Sequence, residues 1–205
     1  MSETPKQKFT FKGRMFFPQL LEPRSFNDNP KLEAKYSARM AWKPDDPANK
    51  DKTMAMREHL KQLAISAFGS NVDMTKLWNP VFTFETYKKE DGSSAADYMK
   101  PYVWVNAKAS KQYPPKVVDS SYNPITDPEE VYSGRNCLFV INFYTYNYAG
   151  KRGIGTGLGG VVLLKGGEAQ GGGAVDPKST FSEFSDLIET DAKAVLPDNK
   201  ENSPW

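Results

Sequence analysis

The chain has 205 residues, of which 39% are hydrophobic and 25% are charged, and its formal net charge is +2. A chain of this size forms one domain with extensions or at most two small domains, and without a run of about 18 apolar residues it predicts no transmembrane helix. The single cysteine, Cys137, excludes an internal disulfide and fits a reducing compartment, and the N-terminal stretch lacks the apolar region of a signal peptide.

The first two predicted strands, residues 8–17 and 34–43, alternate between apolar and polar side chains. This period of two predicts strands with one buried face and one wet, basic face. The predicted inward set is Phe9, Phe11, Met15, Phe17, Tyr36, Ala38, Met40 and Trp42. The outward set includes Lys12, Arg14, Phe16 and Arg39.

An amphipathic helix is predicted over residues 53–68, with Asp51 or Thr53 as its N-terminal cap. Its apolar residues recur at helical spacing, which predicts that one face packs against a sheet. The single histidine, His59, lies off that face and is predicted to be a surface residue.

The middle of the chain predicts a short strand over residues 79–87 and a longer one over residues 102–108. The longer strand alternates, with valine and alanine side chains facing inward. Its predicted outward residues are Tyr102, Trp104, Asn106 and Lys108. The DPEEV stretch after it predicts one helical turn.

The next strand, residues 138–148, is unusually aromatic on both faces. Phe139, Ile141 and Phe143 fall on one face and have the character of a core. The opposite face carries Tyr144, Tyr146 and Tyr148, and a turn with Lys151 and Arg152 follows. Stacking rings beside fixed positive charge suit a flexible polyanion with flat bases. A strand buried on both sides, with merely amphipathic tyrosines, is the alternative.

Residues 153–160 are rich in glycine and are predicted to form turns that lead to a short apolar strand, VVLLKGG. The segment also matches the G-x-G-x-x-G pattern of dinucleotide-binding proteins. That pattern requires a following helix, whereas a strand is predicted, so a dinucleotide site is rejected.

These elements predict an all-β fold with inserted helices, namely an OB-fold-like five-stranded barrel with extra strands and one helix in an early loop. Residues 1–175 are predicted to be the barrel domain, with a net charge of +6. Residues 176–205 carry a net charge of −4 and are predicted to form an acidic C-terminal helix and a flexible tail.

The outward sets of four strands combine cations with aromatic rings, which favours binding of single-stranded nucleic acid. The predicted stacking residues are Trp104, Tyr144, Tyr146, Tyr102 and Tyr148. The predicted phosphate contacts are Lys12, Arg14, Arg39, Lys108, Lys151 and Arg152. One histidine and one cysteine provide neither a zinc cluster nor a histidine-centred triad, so we expect no enzymatic activity, metal or cofactor.

The order of motifs resembles a family of phage single-stranded-DNA-binding proteins. The matching stretches are FKGRMFFPQLLEPRSF, KYSARM, PYVWVNAKASKQYPPKVVD and YSGRNCLFVINFYTYNYAGKRGIGTGLGGVVLLKGGE, which together cover roughly residues 8–175. The resemblance implies an OB-fold domain that coats single-stranded DNA with little sequence preference. It also implies roles in phage DNA replication, recombination and repair in the host cytoplasm.

Two departures from the family pattern stand out. The stretch AWKPDD replaces an Ile-Pro-Lys-like pattern, and residues 191–205 are less acidic than the tails of related proteins, although the chain ends in the aromatic Trp205. The resemblance implies that Trp205 and the tail contact phage or host replication and recombination proteins. Two alternatives remain open, namely an RNA-binding OB module and a virion or scaffold protein that uses its tyrosine strand as an interface.

Overall fold

The structure is a computed structural model, and it describes residues 7–25, 29–89, 91–148 and 150–170. All of these residues belong to one unit of the chain, Met1–Gln170. The predicted acidic helix and tail, residues 176–205, therefore lie outside the described residues, and so does Trp205. No helix in the described ranges is both long enough and apolar enough to cross a membrane.

Within the described residues the chain forms seven strands and one α-helix. In chain order they are β1 (Lys8–Arg24), β2 (Lys35–Trp42), α1 (Lys50–Phe68), β3 (Val81–Phe82), β4 (Val103–Ser110), β5 (Lys116–Val118), β6 (Asn136–Tyr148) and β7 (Lys151–Leu163). Short 3-10 helices span Met74–Lys76, Asp97–Met99 and Pro128–Glu130. The last of these is the helical turn predicted from DPEEV.

Five of the strands close into a barrel. Antiparallel pairing joins β4 to β2, β2 to β1, β1 to β6 and β6 to β7. Parallel pairing of β4 with β7, at Lys108 and Gly157, completes the circle. Strands β3 and β5 add to the edges, and α1 lies in the connection between β2 and β4. This topology is that of an OB-fold, so the predicted fold class is confirmed.

The barrel interior is filled by the side chains that the alternation predicts to face inward. Phe11 is fully buried and stacks on Trp42, with ring centroids 4.3 Å apart. The same core contains Phe9, Met15, Ala38, Met40, Val103, Val105, Ala107, Phe139, Ile141 and Phe143. The helix contributes Met56, Leu60 and Ala64, as its apolar face predicts. Full burial of one such large side chain stabilises the fold by about 1.5–3 kcal/mol.

The start of α1 differs from the prediction, because the helix begins at Lys50 and its N-cap is Asn49. The Asn49 side chain does not cap the helix. Its Nδ2 donates to the backbone oxygen of Lys12 at 2.8 Å, and its Oδ1 accepts from the Lys12 backbone N–H at 3.1 Å. Thr53, a predicted cap, is buried and accepts a hydrogen bond from Trp42 Nε1 at 2.9 Å. Buried polar groups thus tie the helix to the barrel.

His59 is half-buried rather than freely exposed. Its ring lies 5.4 Å from the ring of Phe9, and burial lowers its pKa from 6.5. The side chain predicted to be at the surface is therefore only partly open, because the helix lies close enough to β1 for residues beside its apolar face to be partly covered.

Three further predictions about the strands were wrong. Strand β1 runs on to Arg24, with shifts of register after Phe16 that place Phe17 outside the core. The strand predicted over residues 79–87 shortens to Val81–Phe82. The glycine-rich residues 153–160 do not form turns but lie within β7, which pairs with β6 along almost its whole length.

Candidate nucleic-acid interface

A second apolar cluster covers part of the outer face of β1, β2 and β4. Its buried members are Phe16, Ala41, Ala95, Met99 and Trp104, and Phe82, Phe84, Tyr87, Tyr98 and Tyr102 pack against them. The outward side chains of Phe16, Ala41 and Trp104 are therefore covered by a segment that comprises residues 82–89 and 91–102. We call this segment the cover.

Trp104 points outward, as its place in the alternation predicts, but it is 0% exposed. The Phe82 ring stacks on it with centroids 6.3 Å apart, and the Tyr87 ring contacts it edge-on at 5.6 Å. A base cannot reach an indole that is covered in this way, so the prediction that Trp104 stacks on bases is corrected. Tyr102, another predicted stacking residue, is half-buried with its ring edge-on to Phe16 at 6.3 Å.

The tyrosines of β6 lie across glycines of β7. Register pairs Tyr144 with Gly155 and Tyr146 with Gly153. A Cβ atom added at Gly155 would lie 2.5 Å from Cζ of Tyr144, and one at Gly153 would lie 2.7 Å from the hydroxyl oxygen of Tyr146. The rings occupy the space that side chains on β7 would otherwise fill. Glycine thus lets these rings lie against the sheet, in the manner known as aromatic rescue.

Trp78 continues this row and was missed by the sequence reasoning. Its backbone N–H donates to the oxygen of Arg152 at 3.3 Å, and its own oxygen accepts from the N–H of Ile154 at 3.1 Å. These bonds hold Trp78 beside Gly153, while its side chain stays 58% exposed. No alternating pattern surrounds Trp78, so periodicity gave no signal for it. We call Tyr144, Tyr146 and Trp78 the aromatic strip.

A groove of about 600 Å³ begins at the Tyr144 end of this strip. Its lining includes Phe17, Arg24, Glu33, Lys35, Lys108 and Tyr144. Three cations, Arg24, Lys35 and Lys108, line this groove together with one acidic side chain, Glu33. Glu33 pairs with Lys35 at 3.1 Å, so the lining holds more positive than negative charge. Tyr144 is 44% exposed and Phe17 is 55% exposed, so the groove has an open ring among its cations. We call it the outer groove.

Phe17 owes its exposure to an irregularity in β1. Its φ angle is 51°, which lies in the left-handed region, and the β1–β2 register shifts between Phe16 and Gln19. A bulge of this kind turns a side chain from one face of a sheet to the other. The guanidinium of Arg39 lies over the Phe17 ring at 5.2 Å.

Arg39, a predicted phosphate contact, is largely engaged with protein groups. Its Nε donates to Oδ1 of Asn106 and its Nη2 donates to the Tyr87 hydroxyl, both at 3.2 Å. The guanidinium also lies 5.0 Å from the Tyr87 ring centroid. Arg39 therefore joins the cover to the sheet at the edge of the exposed surface.

The remaining predicted residues lie in two other places. Lys12 and Arg14 line a separate groove of about 420 Å³, which Tyr102, Lys43 and Lys165 also line. Lys151 and Arg152 lie at the start of β7, next to the turn that follows Tyr148. The structure thus brings Tyr144, Tyr146 and Lys108 to one continuous surface and places Lys12 and Arg14 in the other groove, while the backbone of Arg152 is hydrogen-bonded to Trp78 of the aromatic strip.

The remaining titratable side chains of interest are the potential metal ligands and the single cysteine. Within the described ranges, no three His, Cys, Asp or Glu side chains group together as a metal site. Cys137 is buried in the barrel, and burial raises the pKa of its thiol to about 12. A thiol of that kind is inert at neutral pH.

The fold and this surface define the chain as an OB-fold barrel that presents an exposed aromatic strip next to a cationic groove. The family of the ssDNA-binding protein of Enterobacter phage Enc34 matches residues 7–193, and the chain belongs to that family. A search of curated protein sequences finds no match.

Solved structures with the same fold include proteins of two phages. The single-stranded-DNA-binding protein of bacteriophage Enc34, in complex with ssDNA, is 16% identical, with a TM-score of 0.63 over 83% of this chain and 97% of that one. The single-stranded-DNA-binding protein gp2.5 of bacteriophage T7 is 15% identical, with a TM-score of 0.54 over 84% and 98% of the two chains. At these identities the similarity shows the fold.

Proposed function

We propose that the protein binds single-stranded DNA, with little sequence preference and without catalysing a reaction. The observation that carries this proposal is the shared position of Tyr144, which belongs both to the aromatic strip and to the cationic outer groove. The family of the chain and the ssDNA complex of the similar Enc34 protein support it.

Stacking and charge supply the binding energy in this proposal. Bases stack on Tyr144, Tyr146 and Trp78, each contact contributing about 1–3 kcal/mol whatever the base. Alternate residues of a strand are about 6.6 Å apart, so the tyrosines form a row of separate platforms rather than one patch. Lys108 and Arg24 contact phosphates in the outer groove, and such phosphate contacts do not distinguish one base sequence from another.

The outlying cations and tyrosines extend this surface for longer strands. We propose that Lys12 and Arg14, in the second groove, and Lys151 and Arg152, beside the β6–β7 turn, contact further phosphates. Arg39 adds positive charge at the edge of the outer groove. Tyr148 is 81% exposed and Tyr102 is half-buried, so of these two rings we expect Tyr148 to be the more accessible to a base.

We propose that the biological role is to coat and protect single strands during phage DNA replication, recombination and repair in the host cytoplasm. The acidic residues 176–205 and Trp205 would then recruit phage or host replication proteins. Deletion of residues 191–205 should weaken binding to such a partner and leave DNA affinity equal or higher. Unchanged partner binding would exclude this role for the tail.

A fluorescence-anisotropy titration tests the central proposal. Labelled oligothymidylate should bind more tightly than a duplex of equal length, and its affinity should fall as salt rises, because phosphate contacts release counterions. An oligouridylate competitor of the same length tests the RNA alternative. Absence of salt-sensitive binding to any of these strands would refute the proposal and favour an interface role for the tyrosines.

The Lys108→Ala variant locates the site within the same assay. It should weaken binding and reduce the slope of log affinity against log salt by about 0.7, the value for one single-strand phosphate contact. Lys111→Ala is the matched control, because Lys111 is exposed in the loop that follows β4 and does not line the outer groove. Equal salt slopes for the two variants would show that Lys108 does not contact a phosphate of the bound strand.

A further inference from the structure

A pocket of about 360 Å³ opens beside Trp78 and shares no lining residue with the outer groove. The helix α1 and the segment of residues 74–86 form its walls. Its apolar lining includes Leu60, Leu77, Val81 and Ile154, and Trp78 lines it as well. The pocket is therefore continuous with the aromatic strip and mostly apolar within.

The rim of this pocket carries positive charge. Arg57 and Lys61 lie one turn apart on α1, and both are exposed. Lys61 lies 3.9 Å from the Glu58 carboxylate, whereas no carboxylate of the described residues lies within 4.0 Å of the Arg57 guanidinium. An anion at this rim would thus meet one unpaired guanidinium and one weakly paired ammonium group.

Polar groups at the pocket are few and mostly satisfied. Oδ1 of Asn79 accepts from the backbone N–H of Val81 at 3.0 Å, and the hydroxyls of Thr83 and Thr86 lie 3.2 Å apart, within hydrogen-bond distance. Asn79 also lines the pocket, and its amide Nδ2 is a donor that can serve a ligand. A flat, largely apolar ligand with hydrogen-bond acceptors at its edge fits this combination.

We propose that the pocket receives one nucleobase of a bound single strand, turned inward past Trp78, while Arg57 and Lys61 contact the adjoining phosphate. The inference rests on the proposed function and adds a subsite to it. Three observations select this occupant: continuity with the aromatic strip, an apolar cavity large enough for a base, and cations at its rim. The strip provides open platforms, whereas this pocket encloses its base.

Photo-crosslinking tests the enclosure directly. An oligothymidylate carrying 5-iododeoxyuridine at one position is irradiated with the full-length protein, for each position in turn, and crosslinked residues are identified by mass spectrometry. We expect one position to crosslink to Met74, which lines the pocket and is not part of the strip. Crosslinks confined to Trp78, Tyr144 and Phe17 would overturn the proposal.

Charge variants of α1 provide a second, independent measurement. The double variant Arg57→Ala, Lys61→Ala should weaken binding about fivefold or more and reduce the salt slope by about 0.7 for each phosphate contact that is lost. The matched control is Lys50→Ala, Lys52→Ala, which removes two exposed cations from the same helix outside the pocket. Equal effects of the two double variants would overturn the pocket. Failure of the wild-type protein to bind the oligonucleotide would instead overturn the proposed function itself.

Discussion

The substitution Gly155→Ala tests whether the open face of Tyr144 binds a base, because it moves the ring without removing it. The added Cβ would lie 2.5 Å from Cζ and 2.7 Å from both Cε2 and the hydroxyl oxygen of Tyr144. Ordinary contacts begin near 3.4 Å, so the ring must withdraw by about 1 Å. Tyr144 is 44% exposed and can turn toward solvent, which leaves the backbone of β7 in place.

The expected cost falls on binding rather than on stability. Alanine in place of glycine in an extended strand stabilises the fold by about 0.4–1 kcal/mol, because it restricts the unfolded chain. Displacing the ring from its preferred rotamer destabilises the fold by about 0.5–1.5 kcal/mol, which offsets that gain. The free energy of unfolding should therefore change little. The affinity for oligothymidylate should fall toward that of Tyr144→Ala, which loses a stacking contact of about 1–3 kcal/mol.

Anisotropy titrations and thermal unfolding measure both quantities. Gly159→Ala is the matched control in the same strand, because a Cβ there would meet its nearest atom at an ordinary 3.5 Å. Adding Gly155→Ala to Tyr144→Ala should cause no further loss of affinity, since the ring it displaces is already absent. If Gly155→Ala binds as tightly as Gly159→Ala while Tyr144→Ala binds weakly, the reasoning is refuted.

Three other predictions follow from burial. Trp104→Ala should lower the free energy of unfolding by about 3–5 kcal/mol, as measured by chemical denaturation. A measured loss below about 1 kcal/mol would contradict the burial of this side chain. Cys137 should not react with a thiol reagent at pH 8 until the protein unfolds. Burial raises its pKa from 9.0 to about 12, so above pH 9 the thiol loses its proton more readily in the unfolded chain, and the stability of the folded protein should decline. His59 should titrate below 6.5 by NMR, and because folding disfavours its charged form, its contribution to stability should decline as pH falls through that value.

The alternation of apolar residues was enough to predict the barrel core. Phe9, Phe11 and Met15 in β1 lie inside, as do Phe139 and Phe143 in β6. This works because a closed barrel has one interior, so a strand with a single apolar face has only one place to bury it. The same argument failed at Phe17, where a bulge in β1 changes the face and no period of two continues through it.

Exposure of the outward residues could not be predicted in the same way. Trp104 and Lys108 both point out of the barrel from β4, yet the cover buries the first and leaves the second open. The described residues of the cover comprise the last residue of β3, Phe82, one short 3-10 helix and irregular chain, so they have no periodicity that would show which strands they pack on. Trp78 was missed for the same reason. The direction of a side chain follows from its own strand, whereas its exposure depends on which other segment packs over that strand.

The glycines of β7 show that the missing information was partly present in the sequence. Tyr146 and Gly153 lie equally far from the β6–β7 turn, and so do Tyr144 and Gly155, which is the relation that a hairpin register requires. Read as a pair, alternating tyrosines and alternating glycines predict one strand laid against the other, with rings resting on backbone. Considered without β6, the glycines of β7 suggest turns. Only the tyrosine rings of the partner strand explain why β7 needs residues without side chains at these positions. In a variant library, a larger residue at Gly155 should therefore be tolerated only when Tyr144 is made smaller, because the three atoms nearest to an added Cβ at Gly155 all belong to Tyr144.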